Sequence, residues 1–178
     1  MDVRSLVEAV EAGQRFDYVF FWQPDPKQDP PGTEVFSQWY PSRFEVDGVV
    51  YRTAEHWMMA GKARLFGDDA TLARILAAPT PREAKALGRK VRGFDQGLWM
   101  THRDAIVREG SLAKYRAHDG MRRLLLDTGD AVLAEASPLD AIWGIGLAAD
   151  HPDARDPRGW PGLNLLGFVL MEVRACLS

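Results

Sequence analysis

The sequence predicts a helix-rich α+β fold in a single domain that spans residues 1–178. Apolar residues recur at helical spacing through most of the chain, and capping residues stand at the ends of these segments. Runs of β-forming residues are short and lie between the helical segments. With 178 residues, 46% of them apolar, the chain is long enough to bury one hydrophobic core.

The N-terminal third predicts one helix, one strand and one hairpin. Residues 2–12 carry apolar side chains at helical spacing, and residues 18–22 are β-formers. The segment 23–32 contains four prolines and predicts an exposed loop. Residues 43–52 predict a β-hairpin, because Asp47-Gly48 is a favoured sequence for a type I′ turn.

The rest of the chain is mostly helical in pattern. Thr53 can cap a helix that runs to about Phe66, and Thr80-Pro81 with Glu83 is a strong helix start. In the first of these helices we expect one tightly packed face and a separate face that carries Glu55 and Lys62. The further predicted elements are helices over 68–77, 81–88, 99–109, 113–127 and 164–177 and a strand over 131–136.

Composition excludes several classes of protein. The net charge is −3 and no basic block is present, which disfavours binding to long duplex nucleic acid. The N-terminus has no uninterrupted apolar stretch of the kind a signal peptide needs, and no run is long enough to cross a bilayer. The lone Cys176 fits a reducing compartment. We therefore expect a soluble cytoplasmic protein.

Metal and cofactor motifs are missing from the sequence. The four histidines are scattered without ligand spacing, and no cysteine cluster exists for zinc. The segment around Gly144 and Gly146 lacks the endings of a P-loop and of a dinucleotide fingerprint. No Gly-x-Ser-x-Gly elbow appears. We expect no metal and no bound cofactor.

Glu55 and Lys62 are the first candidates for chemistry. Seven residues are close to two helical turns, so both side chains project from one side of a helix, about 10 Å apart along its axis. A carboxylate can protonate a leaving nitrogen, and a desolvated amine can attack a carbonyl carbon. The alternative is a solvated helix face, with Glu55 favourable near the positive helix N-terminus.

Aromatic residues form a second group of candidates. Rings in loops can stack on a nucleobase, but six tryptophans can also simply fill a core. For Trp57, on a predicted helix, the core interpretation is the better one. The aromatics in or beside predicted loops are Trp22, Trp39, Tyr40, Trp99, Trp143 and Trp160.

The turn from Asp140 to Gly146 is a third candidate. Gly144 and Gly146 allow close approach of backbone to a ligand, and their amides could meet phosphate oxygens. The alternative is an ordinary tight turn.

A series of short motifs follows in order along the chain and resembles the NADAR, or YbiA-like, family from about Phe20 onward. The motifs in the first half are Phe36-Ser37, Tyr40-Pro41, Phe44, Tyr51-x-Thr53-x-Glu55-His56, Lys62-Ala63, Ala86-Leu87-Gly88 and Trp99. Those in the second half are Lys114-Tyr115, Leu125-Leu126, Thr128-Gly129, Glu135-Ala136, Asp140, Trp143-Gly144-Ile145-Gly146 and Trp160-x-Gly162-x-Asn164-x-Leu166-Gly167.

The resemblance implies an N-glycosidase that hydrolyses the bond between a ribose C1′ and a nitrogen. Its implied substrates are ribosylamino-pyrimidine phosphates, which are early intermediates of riboflavin synthesis, or ADP-ribose attached to guanine. It implies that Glu55 is the catalytic carboxylate and that Lys62 holds the opened ribose as a transient imine. The residues implied to line the pocket are Trp99, Asp140, Trp143 and Asn164.

Two positions depart from the family pattern. Gln38 follows Ser37 where the family usually has asparagine, which extends the amide by one methylene. Met59 stands where the family usually has glutamine, three residues before Lys62, which removes one polar group.

The leading hypothesis is therefore a metal-independent N-glycosidase without a cofactor. Its partner would be a nucleotide-like small molecule or ADP-ribosylated guanine within nucleic acid, and not a membrane. Catalysis would rest on Glu55 and Lys62. The residues that would stack on the base or frame the sugar are Trp39, Trp99 and Trp143. The amides of Gly144 and Gly146, with Ser37, would hold phosphate. The alternative is a non-catalytic module that binds ADP-ribose or NAD.

Overall fold

The computed structural model describes residues 1–23 and 31–178. Residues 24–30, most of the predicted proline-rich loop Gln23–Gly32, lie outside the described part. The helices are α1 (Val3–Glu11), α2 (Ala54–Leu65), α3 (Asp69–Ala77), α4 (Pro81–Gly88), α5 (Gln96–Ala117), α6 (Asp119–Leu126) and α7 (Leu165–Leu177). The strands are β1 (Tyr18–Phe21), β2 (Phe44–Val46), β3 (Val49–Tyr51) and β4 (Val132–Glu135). Short 3₁₀ turns occur at Thr33–Phe36, Pro152–Arg155 and Pro157–Gly159.

These elements confirm the predicted helix-rich α+β class. The chain forms two compact units, one from Met1–Ser37 and Gly120–Ser178 and the other from Gln38–Asp119. The assignment of residues 1–178 to one domain stays a prediction. Among the described residues, no helix combines the length and the apolar character that a bilayer crossing requires.

The first unit is built on a parallel pair of strands from opposite ends of the chain. Strand β1 pairs with β4 in the register Tyr18 to Val132 through Phe21 to Glu135, and α7 packs on β4. A parallel pair needs a long connection, and here more than a hundred residues separate the two strands. The buried apolar cluster around this pair contains Leu6, Val132, Ala134, Ala136, Ile145, Ala154, Trp160 and Phe168.

The second unit is organised around α2, which contacts α3, α4 and α5. Hairpin β2–β3 precedes it, and both turn residues have positive φ, 51° at Asp47 and 76° at Gly48, which confirms the predicted type I′ geometry. The expectation of one packed face on α2 was wrong. Glu55 and Met59, expected on the other face, are buried as well, because three helices surround α2.

The predicted break between two helices near Gly110 was also wrong. Helix α5 runs through this point and ends at Ala117, with His118 as its C-cap. A side chain at Gly110 would overlap the indole of Trp57, whose Nε1 donates to the Ile106 carbonyl (2.7 Å). Gly110 is therefore a packing site inside a helix rather than a stop signal, and Trp57 belongs to the core as its position predicts.

The side chain of His56 connects α2 to the C-terminal end of α3 through a hydrogen bond. Its Nε2 donates to the carbonyl of Ala78 (3.0 Å), and its Nδ1 accepts from the Thr53 hydroxyl (2.8 Å). A carbonyl can only accept, so the contact with Ala78 places a proton on Nε2. Burial lowers the pKa of His56, which favours the neutral form of the ring.

Candidate functional site

Helix α2 positions the two residues predicted to carry the chemistry. Thr53 caps it by accepting a hydrogen bond from the N–H of His56, and the helix then continues without a break to Leu65. Glu55 lies in the first turn and Lys62 in the last turns. The continuous helix places their side chains on the same side, about 10 Å apart along the axis.

Glu55 is a buried carboxylate with only 4% of its surface exposed. Its backbone N–H donates to the carbonyl of Gln38 (3.0 Å), so the segment after Ser37 is tied to the start of α2. Gln38, which departs from the family pattern, is therefore joined through its backbone to the residue that carries the candidate carboxylate.

Lys62 is half-buried and its ammonium group lies among aromatic rings. Its Nζ is 4.1 Å from the ring centroid of Phe94 and 5.5 Å from that of Trp99. Phe94 in turn contacts Phe66 edge to face, with 5.3 Å between ring centroids. Burial lowers the pKa of Lys62, so the amine loses its proton more readily than a solvated lysine does.

Two predicted aromatic residues lie in the same unit. Trp99 is in the first turn of α5 rather than in a loop, it is 9% exposed, and it contacts Lys62 as noted. Trp39 is half-buried and lies under the ammonium group of Lys85, 5.9 Å from the ring centroid. The structure thus brings Trp99 to the candidate amine and pairs Trp39 with a second cation.

Met59, which stands where the family usually has glutamine, packs against α4. A side chain at Gly88 would overlap the Met59 sulfur, so the thioether fills the space directly over α4. Met59 is 6% exposed. The lost amide is replaced by an apolar contact that joins two helices.

Lys114, in the Lys114-Tyr115 motif, is a second buried amine. It is 2% exposed, and its Nζ lies 5.2 Å from the ring centroid of Tyr115. Burial lowers the pKa of Lys114 to about 7. The signal for this residue in the sequence is the Lys114-Tyr115 pair of the family resemblance.

The pH dependence of stability should reveal Lys114. Between pH 7 and 10.5 the unfolded lysine holds a proton that the folded one has released, so the free energy of unfolding rises with pH. This group contributes up to about 1.4 kcal/mol per pH unit. We expect urea unfolding of Lys114→Met from pH 7 to 10 to show a smaller rise than wild type. Parallel curves would contradict the shift, and the exposed Lys90→Met is the control.

The first unit holds the predicted glycine turn. Asp140 Oδ1 accepts hydrogen bonds from the N–H groups of Ile142 (2.9 Å) and Trp143 (2.8 Å), which fixes the start of the turn. Gly146 has φ of 75°. A side chain at Gly144 would lie 2.7 Å from the carbonyl oxygen of Glu135, so the backbone is tightly packed there.

Asn164 anchors the end of the same loop region. It is fully buried, its Oδ1 accepts from the N–H of Glu135 (3.0 Å), and its Nδ2 donates to the carbonyl of Leu133 (2.9 Å). Its φ of 50° is left-handed, a conformation that asparagine tolerates better than most residues. These contacts give Asn164 a structural role in joining α7 to β4.

The remaining predicted residue, Ser37, is 5% exposed, and its N–H donates to the carbonyl of Glu34 (3.1 Å). Within residues 1–23 and 31–178 no group of three or more histidine, cysteine, aspartate or glutamate side chains is arranged to hold a metal ion. The ligand contacts predicted for Ser37, Asp140, Trp143, Gly144, Gly146 and Asn164 stay predictions.

Comparison with known proteins gives consistent matches. The model of the NADAR domain family matches residues 20–178. The chain is 41% identical over 162 residues to N-glycosidase R617 of Acanthamoeba polyphaga mimivirus, covering 88% of this chain and 94% of that protein. It is 37% identical to N-glycosidase Npun_R5314 of Nostoc punctiforme, with 78% and 82% covered. The solved structure of the E. coli protein YbiA is similar with a TM-score of 0.70 and 27% identity, covering 92% of this chain and 86% of that one.

Proposed function

Because the chain belongs to the NADAR family, whose relatives named above include N-glycosidases, we propose that it is an N-glycosidase that hydrolyses the bond between a ribose C1′ and a ring nitrogen. The observation that carries this proposal is the pair of functional groups on α2. A buried carboxylate and an amine with a lowered pKa lie on one side of the helix. Hydrolysis of an N-glycosyl bond needs a proton for the leaving nitrogen and a group that captures the electron-poor sugar carbon.

Glu55 is the proposed general acid and base. Its position in the first turn of a helix and its burial hold the carboxyl group in one place, away from bulk water. It delivers a proton to the leaving nitrogen or to the ring oxygen as the C1′–N bond breaks. It then takes a proton from the water that completes the reaction.

Lys62 is the proposed covalent partner of the sugar. Its unprotonated Nζ forms a bond to C1′ while the bond from C1′ to the base nitrogen breaks, and opening of the ribose ring leaves an imine on C1′. Water adds to the imine carbon, the C1′–Nζ bond breaks, and the free sugar and the free amine result. The lowered pKa of Lys62 supports this role, because only the unprotonated amine is a nucleophile.

The other predicted residues receive supporting roles in this proposal. Trp39 and Trp99 stack on the base or frame the sugar, and Trp99 already contacts the amine. The backbone amides of Gly144 and Gly146, with Ser37, hold phosphate. Asp140, Trp143 and Asn164, which belong to the first unit, are the further proposed substrate-binding residues.

Two substrate groups fit this chemistry. One is a ribosylamino-pyrimidine phosphate of riboflavin synthesis, and the other is ADP-ribosyl-guanine, free or within nucleic acid. The net charge of −3 favours a small substrate, since each phosphate of a long strand needs a basic partner. The proposed reaction uses no metal and no cofactor.

The deciding experiment offers both substrates in parallel to wild type, to Glu55→Gln and to the exposed control Glu45→Gln. Free base and free sugar phosphate are measured by mass spectrometry. We expect release from one substrate by wild type and by the control, and a loss of about 10²- to 10⁴-fold in kcat for Glu55→Gln. Circular dichroism checks that the variants are folded.

Two results would contradict the proposal. Full activity of folded Glu55→Gln would remove this residue from the chemistry. No release from either substrate, with a rise in melting temperature on addition of ADP-ribose, would establish the non-catalytic binding module instead.

A further inference from the structure

A half-exposed phenylalanine lies against the candidate amine. Phe94 is 45% exposed, and its ring centroid is 4.1 Å from Lys62 Nζ. It stands in the short loop between α4 and α5, where the sequence Gly-Phe-Asp gave no functional signal.

The loop that carries Phe94 is fixed on both sides. On one side the buried carboxylate of Asp68 accepts from the backbone N–H of Arg92 (2.9 Å) and from its guanidinium (2.8 Å). On the other side Asp95 caps α5 by accepting from the N–H of Leu98 (2.7 Å). Gly93, with φ of 70°, provides the bend between the two anchors. The ring is therefore held by backbone contacts as well as by its own packing.

Asp68 is itself well anchored. It caps α3, its Oδ2 accepts from the Thr71 hydroxyl (2.7 Å), and its pKa lies well below the usual range because Arg92 and Thr71 donate to it. The carboxylate stays charged at neutral pH, so the anchor for the loop persists across the working pH range.

The Phe66 ring supports Phe94 from a second direction. Its centroid is 5.3 Å from that of Phe94 at an interplanar angle of 62°, an edge-to-face contact. Phe66 is the residue that ends α2, one turn after Lys62. The amine, its helix end and the loop are thus joined through one pair of rings.

We propose that Phe94 is a positioning residue for Lys62: its ring covers the ammonium group and holds the amine, with little water around it, where the imine with the sugar forms. This inference rests on the proposed function. The ring of Trp99, with its centroid 5.5 Å from the same Nζ, lies on a second side of the amine.

Two effects of the ring on the amine oppose each other. A cation is attracted to an aromatic face, which favours the charged ammonium. Exclusion of water disfavours the charged form, and for a lysine this effect is the larger one. Burial lowers the pKa of Lys62, and no charged side chain in the described part of the chain contributes to that shift.

The charged groups on the surrounding elements are consistent with this. Arg64 donates to the Tyr51 hydroxyl (2.5 Å), Arg92 pairs with Asp68, and Arg103 lies 3.5 Å from Asp104. Asp95 is occupied as a cap and Lys85 lies over Trp39. Glu55 is the charged residue that shares the side of α2 with Lys62, two turns away. Exclusion of water by Phe94 and Trp99 is therefore the effect that lowers the pKa of Lys62.

The test compares Phe94→Ala, Phe94→Tyr and the control Leu98→Ala, another exposed apolar side chain (42%) at the start of α5. The first readout is the pH dependence of Lys62 labelling by reductive methylation, followed by mass spectrometry of the α2 peptide. We expect the midpoint to rise by about one pH unit in Phe94→Ala and to stay at the wild-type value in the other two. An unchanged or lowered midpoint in Phe94→Ala overturns the inference.

The second readout is the pH profile of kcat with the substrate that wild type turns over. We expect kcat of Phe94→Ala to be about tenfold lower than wild type near pH 7 and to approach it at high pH, where the amine is free in both. A pH-independent loss would indicate a merely structural role and overturn the inference.

The two readouts separate the two proposals. Labelling needs no substrate. If the labelling midpoint shifts in Phe94→Ala but neither wild type nor any variant turns over a substrate, the N-glycosidase proposal is contradicted and the effect of Phe94 on the amine remains. Turnover that depends on Lys62, with an unchanged midpoint in Phe94→Ala, contradicts only the role of Phe94.

Discussion

Lys62→Met is expected to lose catalytic activity by on the order of 10³-fold or more while the protein stays folded. The proposed reaction needs a nucleophilic amine at this place, and methionine is an unbranched side chain one atom shorter than lysine that has no amine. The side chain is half-buried against Phe94 and Trp99, so an apolar replacement suits its surroundings. The measurement is steady-state turnover of the accepted substrate, with melting temperature as the check on folding.

Trapping makes this prediction specific to the imine. Cyanoborohydride reduces an imine to a stable amine, so wild type incubated with substrate should gain the mass of the opened sugar on the α2 peptide. Lys62→Met should gain nothing there, and Lys90→Met, which removes an exposed lysine, should behave as wild type. Turnover by wild type without any trapped sugar would favour direct attack by water, with Glu55 alone in the chemistry.

Gly167→Ala is expected to destabilise the protein by about 3 kcal/mol. In an ordinary helix this substitution stabilises by up to about 1 kcal/mol, because alanine is the better helix former. In α7 a side chain at this position would overlap the carbonyl oxygen of Leu133 and meet the amide group of Asn164. Backbone cannot turn aside as a flexible side chain does, so α7 would have to move away from β4.

The matched control is Gly120→Ala. Gly120 also lies in a helix, α6, but a side chain there would meet nothing within 4 Å. We expect this variant to be neutral or slightly stabilised, so that the two substitutions change the free energy of unfolding in opposite directions. Urea denaturation measures both. Similar values for the two would show that close packing of α7 on β4 is not what requires glycine at residue 167.

Local signals in the sequence predicted many of the elements. Thr53, Thr80 with Pro81, and Asp47-Gly48 each act within four residues of the backbone they control. For that reason the starts of α2 and α4 and the geometry of the hairpin are as predicted. Glu55 and Lys62 could be predicted to lie on one side of a helix for the same reason, because their spacing within a single helix is enough to fix that relation.

Contacts between distant segments were the source of the errors. Glycine inside a helical pattern normally suggests a stop, yet Gly110 lies under the Trp57 indole, and that contact comes from another helix. The buried second face of α2 likewise depends on the three helices that pack around it. The pattern of apolar residues within one segment does not show which other segments will pack against it.

The surroundings of the candidate site could not be predicted from the sequence for the same reason. Nothing in Gly-Phe-Asp indicates that Phe94 lies on an amine 32 positions earlier, because the loop is brought there by the Asp68–Arg92 contacts. The family motifs predicted the site residues through resemblance, and their roles in binding substrate stay predictions, as does the cytoplasmic location. Family membership and the helix-rich class are the parts that comparison has confirmed.

The individual elements could be predicted from the sequence and the contacts between them could not, and this difference has a simple physical cause. Caps, turns and helical spacing depend on hydrogen bonds and sterics within a few residues, so the sequence sets the elements and places the carboxylate and the amine on α2. The pairing of β1 with β4, the buried amide of Asn164 and the aromatic cover over Lys62 join residues far apart in the chain. Those contacts depend on which surfaces bury each other, and that is decided when the elements pack.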